Sequence, residues 1–265
     1  MSAAPADKAA VLAALRQQVR RIEGAGAAGA GALPLGLPAI DEALPDGGLA
    51  LARVHEVAGG DGAETAFCAA LLGRMAGPVL WLARGHDLYA PGLAAYGLPP
   101  ERLLVMVPGG DPAILWAMEE ALRCRALAAV VGEVGRLPAV AARRLQLAAE
   151  AGGTTGLLLR WAGRAAAKSA AERSAVAASR WSVAAAPAQP VGEPGVGLPR
   201  WRVALEQCRG GRPGAWLVTW PPAHGPHAAP PLAVPLAEGG AEAPAATQAG
   251  RDGLPVPAER RAIPA

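Results

Sequence analysis

Short, largely unbroken apolar runs at Val79–Ala83, Leu103–Val107, Leu127–Val131 and Thr155–Trp161 alternate along this chain with segments of helical length. A strand buried on both faces reads as such a run, because neither face needs polar residues. The interleaved segments, Ala66–Met75, a stretch around Ala90–Gly97, Asp111–Arg125 and Pro138–Ala151, predict helices. At Asp111-Pro112 a side-chain cap followed by proline at the first helical position marks a start. Strands alternating with helices predict an α/β fold with a mostly parallel central sheet and right-handed crossovers. Beyond Trp161 the pattern changes: Trp181–Ala185, Trp201–Glu206 and Ala215–Trp220 read as antiparallel strands closing the sheet. A Pro/Gly linker (Pro187–Pro199) and the turn Arg209–Gly214 separate them.

The chain has 265 residues, room for one full α/β domain with tails. Four units are predicted: an N-terminal amphipathic helix (residues 1–24), a flexible linker (25–32), a core domain (33–220) and a disordered Pro/Ala/Gly-rich tail (221–265). Within the first, Val11, Leu12, Leu15, Val19 and Ile22 line one helix face, with Arg16, Arg20 and Arg21 toward the other. Such a stripe serves equally for packing on the domain or for docking a partner. Pro38–Leu44 predicts a short helix leading into the first strand. The net charge of +3 excludes bulk attraction to a polyanion, so any nucleic-acid contact requires a local patch. Cys68, Cys124 and Cys208 lack the paired spacing of a zinc site or a disulfide framework. With no signal core and no membrane-spanning run, a soluble, cytoplasmic protein is expected.

The segment Glu56–Thr65 has the layout of a phosphate-binding loop without its chemistry. Arg53–Val57 predicts a strand, Ala58-Gly59-Gly60-Asp61-Gly62-Ala63-Glu64-Thr65 a glycine-rich turn, and Ala66 onward a helix. A working loop, G-x-x-x-x-G-K-[ST], cradles phosphates with backbone N–H groups, neutralises them with Lys and holds Mg²⁺ with a hydroxyl. With Thr65 in the hydroxyl slot, Ala58 and Ala63 replace both glycines and Glu64 replaces the lysine. The only lysines are Lys8 and Lys168, and no register supplies the cation.

Taken in order, these segments resemble the RecA recombinase core, and most closely the ImuA family of RecA-like inducible mutagenesis proteins. The similarity spans Leu33 to Trp220 and rests on RVHEVAG (53–59), WLARGHDLYAPGLAAYGL (81–98) with the following LLVMVPGGDP, LAAVVGE (127–133), ASRWSV (178–183) and the closing RVALEQCRGGRPGAWLVTW. The resemblance implies a RecA-like P-loop NTPase fold with a degenerate nucleotide site. Gly85 stands where such ATPases carry a water-activating Glu, and Gly132 where a Walker-B aspartate closes its strand, with Glu133 displaced by one. Phosphoryl transfer needs these parts together, so neither hydrolysis nor a bound cofactor is expected. The resemblance further implies a non-catalytic adaptor in SOS-induced, error-prone translesion DNA synthesis. Its implied partners are an ImuB-type, Y-family-like polymerase protein and an error-prone C-family polymerase, with RecA and single-stranded DNA as further candidates. Alternatives are a nucleotide-dependent RecA paralogue completed in trans and a SulA-like inhibitor of cell division.

Remaining candidates carry a bland reading beside the functional one. Arg160, Arg164, Lys168, Arg173 and Arg180 cluster where RecA has a DNA-binding loop, yet an ordinary solvated loop would look the same. His86 and Asp87 read as a surface loop, His55 as a satisfied histidine in a strand, and the strand tryptophans as core. Glu64 with Glu133 lacks a third metal ligand.

Overall fold

A computed structural model describes residues 31–161, 176–189, 197–221 and 230–236. The expected docking residues Val11, Leu12, Leu15, Val19 and Ile22, and the loop residues Arg164, Lys168 and Arg173, lie outside them. After a two-residue strand β1 (Ala32–Leu33) come helix α1 (Pro38–Asp41), its sheet partner β2 (Leu49–Ala50), β3 (Val54–Gly59) and α2 (Ala63–Gly73). Then follow β4 (Val79–Leu82), α3 (Ala90–Leu93), β5 (Leu103–Met106), α4 (Gly110–Leu122), β6 (Ala129–Val134), α5 (Ala139–Gly152) and β7 (Thr155–Trp161). The chain closes with β8 (Ser179–Gln189), β9 (Leu198–Cys208), β10 (Gly214–Thr219) and β11 (Leu232–Pro235).

The main sheet has the order β11-β10-β9-β8-β3-β7-β6-β4-β5. Strands β8, β3, β7, β6, β4 and β5 run parallel, and β9, β10 and β11 continue antiparallel. The α/β class and the mostly parallel sheet are therefore as the apolar runs predict, with β8 joining the parallel part.

Alternation along the buried strands divides the core into two layers. Val57, Val79, Trp81, Val131 and Leu157 face α1 and α2, while Val54, Leu82, Val130, Val134 and Leu158 face α4 and α5. Helix α2 is buried on nearly every side, which its all-round small and apolar composition anticipates. Phe67 on α2 meets Trp181 and Trp201, and Trp201 stacks on Trp220 with ring centroids 5.7 Å apart. Five tryptophans expected in the core, Trp81, Trp181, Trp201, Trp216 and Trp220, are buried there. Helices α4 and α5 approach so closely at their ends that a Cβ on Gly152 would collide with the Leu122 carbonyl oxygen.

Several boundaries differ from the sequence expectation for identifiable reasons. The Asp41 carboxylate gathers the N–H groups of Leu35, Gly36 and Leu37, and the helix from Pro38 stops at Asp41 rather than Leu44. Asp111 does not cap α4, which already begins at Gly110; its carboxylate accepts the N–H groups of Gly135 and Arg136. Strands β8 and β9 extend into the expected linker as far as Gln189 and from Leu198. Pro187, lacking an N–H, sits at the register irregularity between Ala186 and Gln189. Residues 232–235 fall in the tail expected to be disordered, yet they form β11 on β10. An edge strand needs backbone pairing on one side only, so a proline-bordered segment with little apolar bulk suffices.

Candidate functional site

The glycine-rich segment leaves the carboxyl end of β3, where α/β sheets bind ligands. Gly62 adopts φ +88 and turns the chain into α2, which starts at Ala63, three residues earlier than predicted. Two of the loop's donors are taken by its own carboxylates. The Gly62 N–H donates to Glu64 Oε2 at 3.0 Å, and the Ala63 N–H to Asp61 Oδ1 at 3.1 Å. Asp61 Oδ2 accepts the Ala185 N–H at 2.8 Å, tying the loop to β8. Glu64 is only 2% exposed and lies over Gly59, where a Cβ would stand 2.5 Å from Glu64 Oε2. A helix N-terminus with free N–H groups favours an anion; here the anion is already in place.

Beside the loop a cleft of about 900 Å³ is lined by Glu64, Thr65, Arg84, His86, Tyr89 and Glu133, among others. Gly85 lines it as well, while His86 and Asp87 are exposed, as a surface loop would have them. Gly132 and Glu133 require a correction. The strand expected to end at Val131 runs on to Val134, so both residues lie inside β6. Gly132 faces α4, where a Cβ would meet Met118 Sδ at 2.8 Å, and strand alternation turns Glu133 to the cleft side. The cleft therefore does receive a carboxylate from β6. Both of its oxygens are engaged: Trp81 Nε1–H donates to Oε1 at 2.7 Å and the Arg84 N–H to Oε2 at 3.0 Å. Among the described residues no group of three or more His, Cys, Asp or Glu side chains is placed to share a metal ion.

The electrostatics of the cleft floor oppose a polyphosphate. Cys68, fully buried beneath it, has its thiol pushed up by burial first and then by the Glu64 and Glu133 carboxylates, which leaves it unreactive. Among the described residues the one arginine lining the cleft, Arg84, leans toward Asp111 with Nη1 3.6 Å from Oδ1. Partial burial raises the Asp111 carboxyl, but the N–H groups of Arg136 and Gly135 and the Arg84 guanidinium outweigh it and hold the group below its ordinary value.

Of the basic cluster, Arg160 stands at the end of β7 between β3 and β6, half-buried. Arg180 does not belong to a basic surface: it is buried, with Nε 3.5 Å from Glu56 Oε2 and Nη1 donating to Gln207 Oε1 at 3.1 Å. Its place in β8 beside β3 dictates this, because an inward-facing guanidinium must find a carboxylate. His55 is the satisfied histidine expected. Its Nε2–H donates to the Ala50 carbonyl at 2.8 Å, and Nδ1 lies 2.6 Å from Ser179 Oγ, which is left to donate. Burial lowers its pKa to about 4.

Two features escaped the sequence reading. Asp61 is the residue that closes the loop on itself; a carboxylate between Gly60 and Gly62, able to bond the backbone two residues on, was the available signal. Trp116 lies on α4 away from its buried positions Ile114, Met118 and Leu122. It is 66% exposed beside a concavity of about 560 Å³ between α4 and α5.

No family model matches the sequence. Among solved structures, SulA from Pseudomonas aeruginosa aligns with 40% of this chain and 96% of its own at 25% identity and a TM-score of 0.36. Protein ImuA of Caulobacter vibrioides, in two strains, is 41% identical over 210 residues, spanning 74% of this chain and 86% of the relative. At that identity and coverage, the chain belongs to the ImuA family.

Proposed function

We propose that this protein is a non-catalytic, RecA-like adaptor of the ImuA/ImuB mutagenesis system, serving error-prone translesion synthesis. One observation carries the loss of catalysis: Glu64 and Asp61 accept the loop N–H groups that would otherwise hold phosphate oxygens. A nucleotide would have to displace two bonded carboxylates and then remain beside them, with no lysine in the loop to compensate. The parallel sheet with its glycine-rich loop at the carboxyl end of β3 supports descent from a RecA-like P-loop fold. Family membership supports the mutagenesis role, with an ImuB-type polymerase-like protein and an error-prone C-family polymerase as partners. On this reading the protein acts in the cytoplasm; no helix among the described residues is long and apolar enough to cross a membrane.

The test is calorimetry and phosphate release with ATP and Mg²⁺, with and without single-stranded DNA, beside a pull-down with the ImuB-type protein. The expected outcome is ATP binding weaker than about 1 mM, which is less than about 4 kcal/mol of affinity, together with retained partner capture. Mg²⁺-dependent turnover would overturn the adaptor reading.

A further inference from the structure

The main sheet ends in two open edges of different character. On β11 the Leu236 N–H donates inward to the Ala215 carbonyl at 2.8 Å. Alternation turns the N–H groups of Leu232 and Val234 inward too, leaving Pro231, Ala233 and Pro235 to face solvent. Two of these three have no N–H, so the edge is blunted in the way that discourages pairing with another strand.

Strand β5 has no such protection. Its residues Leu104, Val105 and Met106 are 55%, 49% and 49% exposed, and the strand carries no charge and no proline. Among the described residues nothing pairs with its outer side. The Met106 carbonyl accepts the Ala83 N–H at 2.9 Å, so the backbone groups of Leu104 and Met106 point toward β4 and those of Leu103, Val105 and Val107 point away. The Leu103 N–H is already spent on the Pro100 carbonyl in the turn that precedes the strand. What faces outward is thus the Leu103 C=O and both backbone groups of Val105 and of Val107.

This set is complementary to itself. We propose that β5 pairs antiparallel with β5 of a second copy of this chain, about a two-fold axis through Val105, joining two sheets into one. The two Val105 residues exchange N–H···O bonds, and each Val107 N–H donates to the Leu103 carbonyl of the other copy. Those four bonds use every outward group of the pair except the two Val107 carbonyls. The Leu103 N–H that an antiparallel ladder would set against each Val107 carbonyl is already occupied, so that bond is not formed. On the α4 side of the sheet, Leu104 of each copy stands opposite Met106 of the other, covering the exposed apolar side chains. A two-fold contact of this kind is the commonest closed symmetry.

The experiment is sedimentation or light scattering of the full chain across a concentration series, with three sets of variants. The unmodified protein should move from its 26.6 kDa monomer toward twice that mass. V105P, which removes the central outward N–H where an edge strand tolerates proline, should weaken association at least about tenfold. L104E should dissociate the dimer and L104E/M106K should restore it, because the introduced carboxylate then faces the introduced ammonium of the other copy. On mild oxidation V105C should crosslink beyond the background set by Cys124 and Cys208, since an opposed hydrogen-bonded pair brings Cα atoms to about 5.5 Å. L104C should not crosslink, its counterpart being Met106. A monomer at every concentration, or equal crosslinking by V105C and L104C, would overturn the pairing.

Discussion

Replacing Glu133 tests whether the β6 carboxylate is a structural clamp rather than a remnant ligand. It receives two N–H donors, from Trp81 Nε1 at 2.7 Å and from the Arg84 backbone at 3.0 Å, and so joins β4 to β6 through side chains as well as through the ladder. Trp81 has no exposed surface, so Glu133→Ala leaves its indole N–H buried without an acceptor. A hydrogen bond to a charged group contributes about 1.5–3 kcal/mol and an orphaned buried donor costs about 1–3 kcal/mol, so a net loss near 3 kcal/mol is expected. Glu133→Gln keeps the shape and one acceptor. Its oxygen should serve Trp81 while the amide NH₂ turns to the Arg84 N–H near solvent, at a cost of about 1–2 kcal/mol. For a domain of this size each kcal/mol moves Tm by about 2–4 °C, giving about 6–12 °C for Glu133→Ala. Urea unfolding of Trp81→Phe, Glu133→Ala and the double variant completes the cycle, with a coupling of at least about 1 kcal/mol expected. A Tm within about 1 °C of the parent for Glu133→Ala, or strict additivity, would refute the clamp.

Three further outcomes follow from buried groups. His55 is folded neutral with a pKa of about 4 against 6.5 unfolded, so its contribution is present above pH 6.5 and lost as the pH falls toward 4. Between about pH 7.5 and 5 the loss should be about 2 kcal/mol, read by urea unfolding, and His55→Gln should flatten that stretch of the profile. Gly152→Ala drives a Cβ into the Leu122 carbonyl where α4 and α5 meet, and should cost at least about 3 kcal/mol of stability by the same assay. Arg180→Ala removes the guanidinium 3.5 Å from the buried Glu56 carboxylate and its bond to Gln207, and should cost at least about 1 kcal/mol by urea unfolding, while any salt-dependent DNA binding by the folded fraction stays unchanged.

What the sequence made legible was whatever depends on patterning along the chain. The apolar runs mark parallel strands of the main sheet, and Thr155–Trp161 agrees with β7 at both ends, but Leu103–Val107, read as buried on both faces, forms the exposed edge strand β5. The loop was recognisable from its glycines and its missing lysine. Less legible were features that depend on where a side chain meets something distant in sequence. Arg180 reads as one of a run of cations, and only its pairing beside β3 puts it against Glu56. The reach of β6 was not legible either, because the strand continues past the apolar run, ending at Val134 rather than Val131. Strand alternation past Val131 then decides the faces, setting Gly132 against α4 and Glu133, expected one position beyond the Walker-B slot, toward the cleft. Residues 232–235 carry too little bulk to announce a strand, and β10 supplies the pairing.

Under the proposed reading, the loop is that of a nucleotide scaffold made independent of nucleotide. In a phosphate-binding loop the N–H groups at the start of the helix have no partner until ligand arrives, so the order of the segment depends on occupancy. Here Glu64 and Asp61 supply fixed negative charge to the same donors, and Asp61 also reaches across to β8. The loop is ordered from within, and β3, α2 and β8 are held together in one state. A switch needs two states that a ligand distinguishes; a loop whose anions are covalently its own offers none. Under the adaptor reading that is the useful property, because docking surfaces carried on the rigid sheet remain the same whatever the ATP concentration. Glu64→Ala therefore removes a brace and not a catalyst. It should loosen the loop by about 1–2 kcal/mol, seen as faster amide exchange at Gly62, without creating ATP turnover and without abolishing capture of the ImuB-type partner.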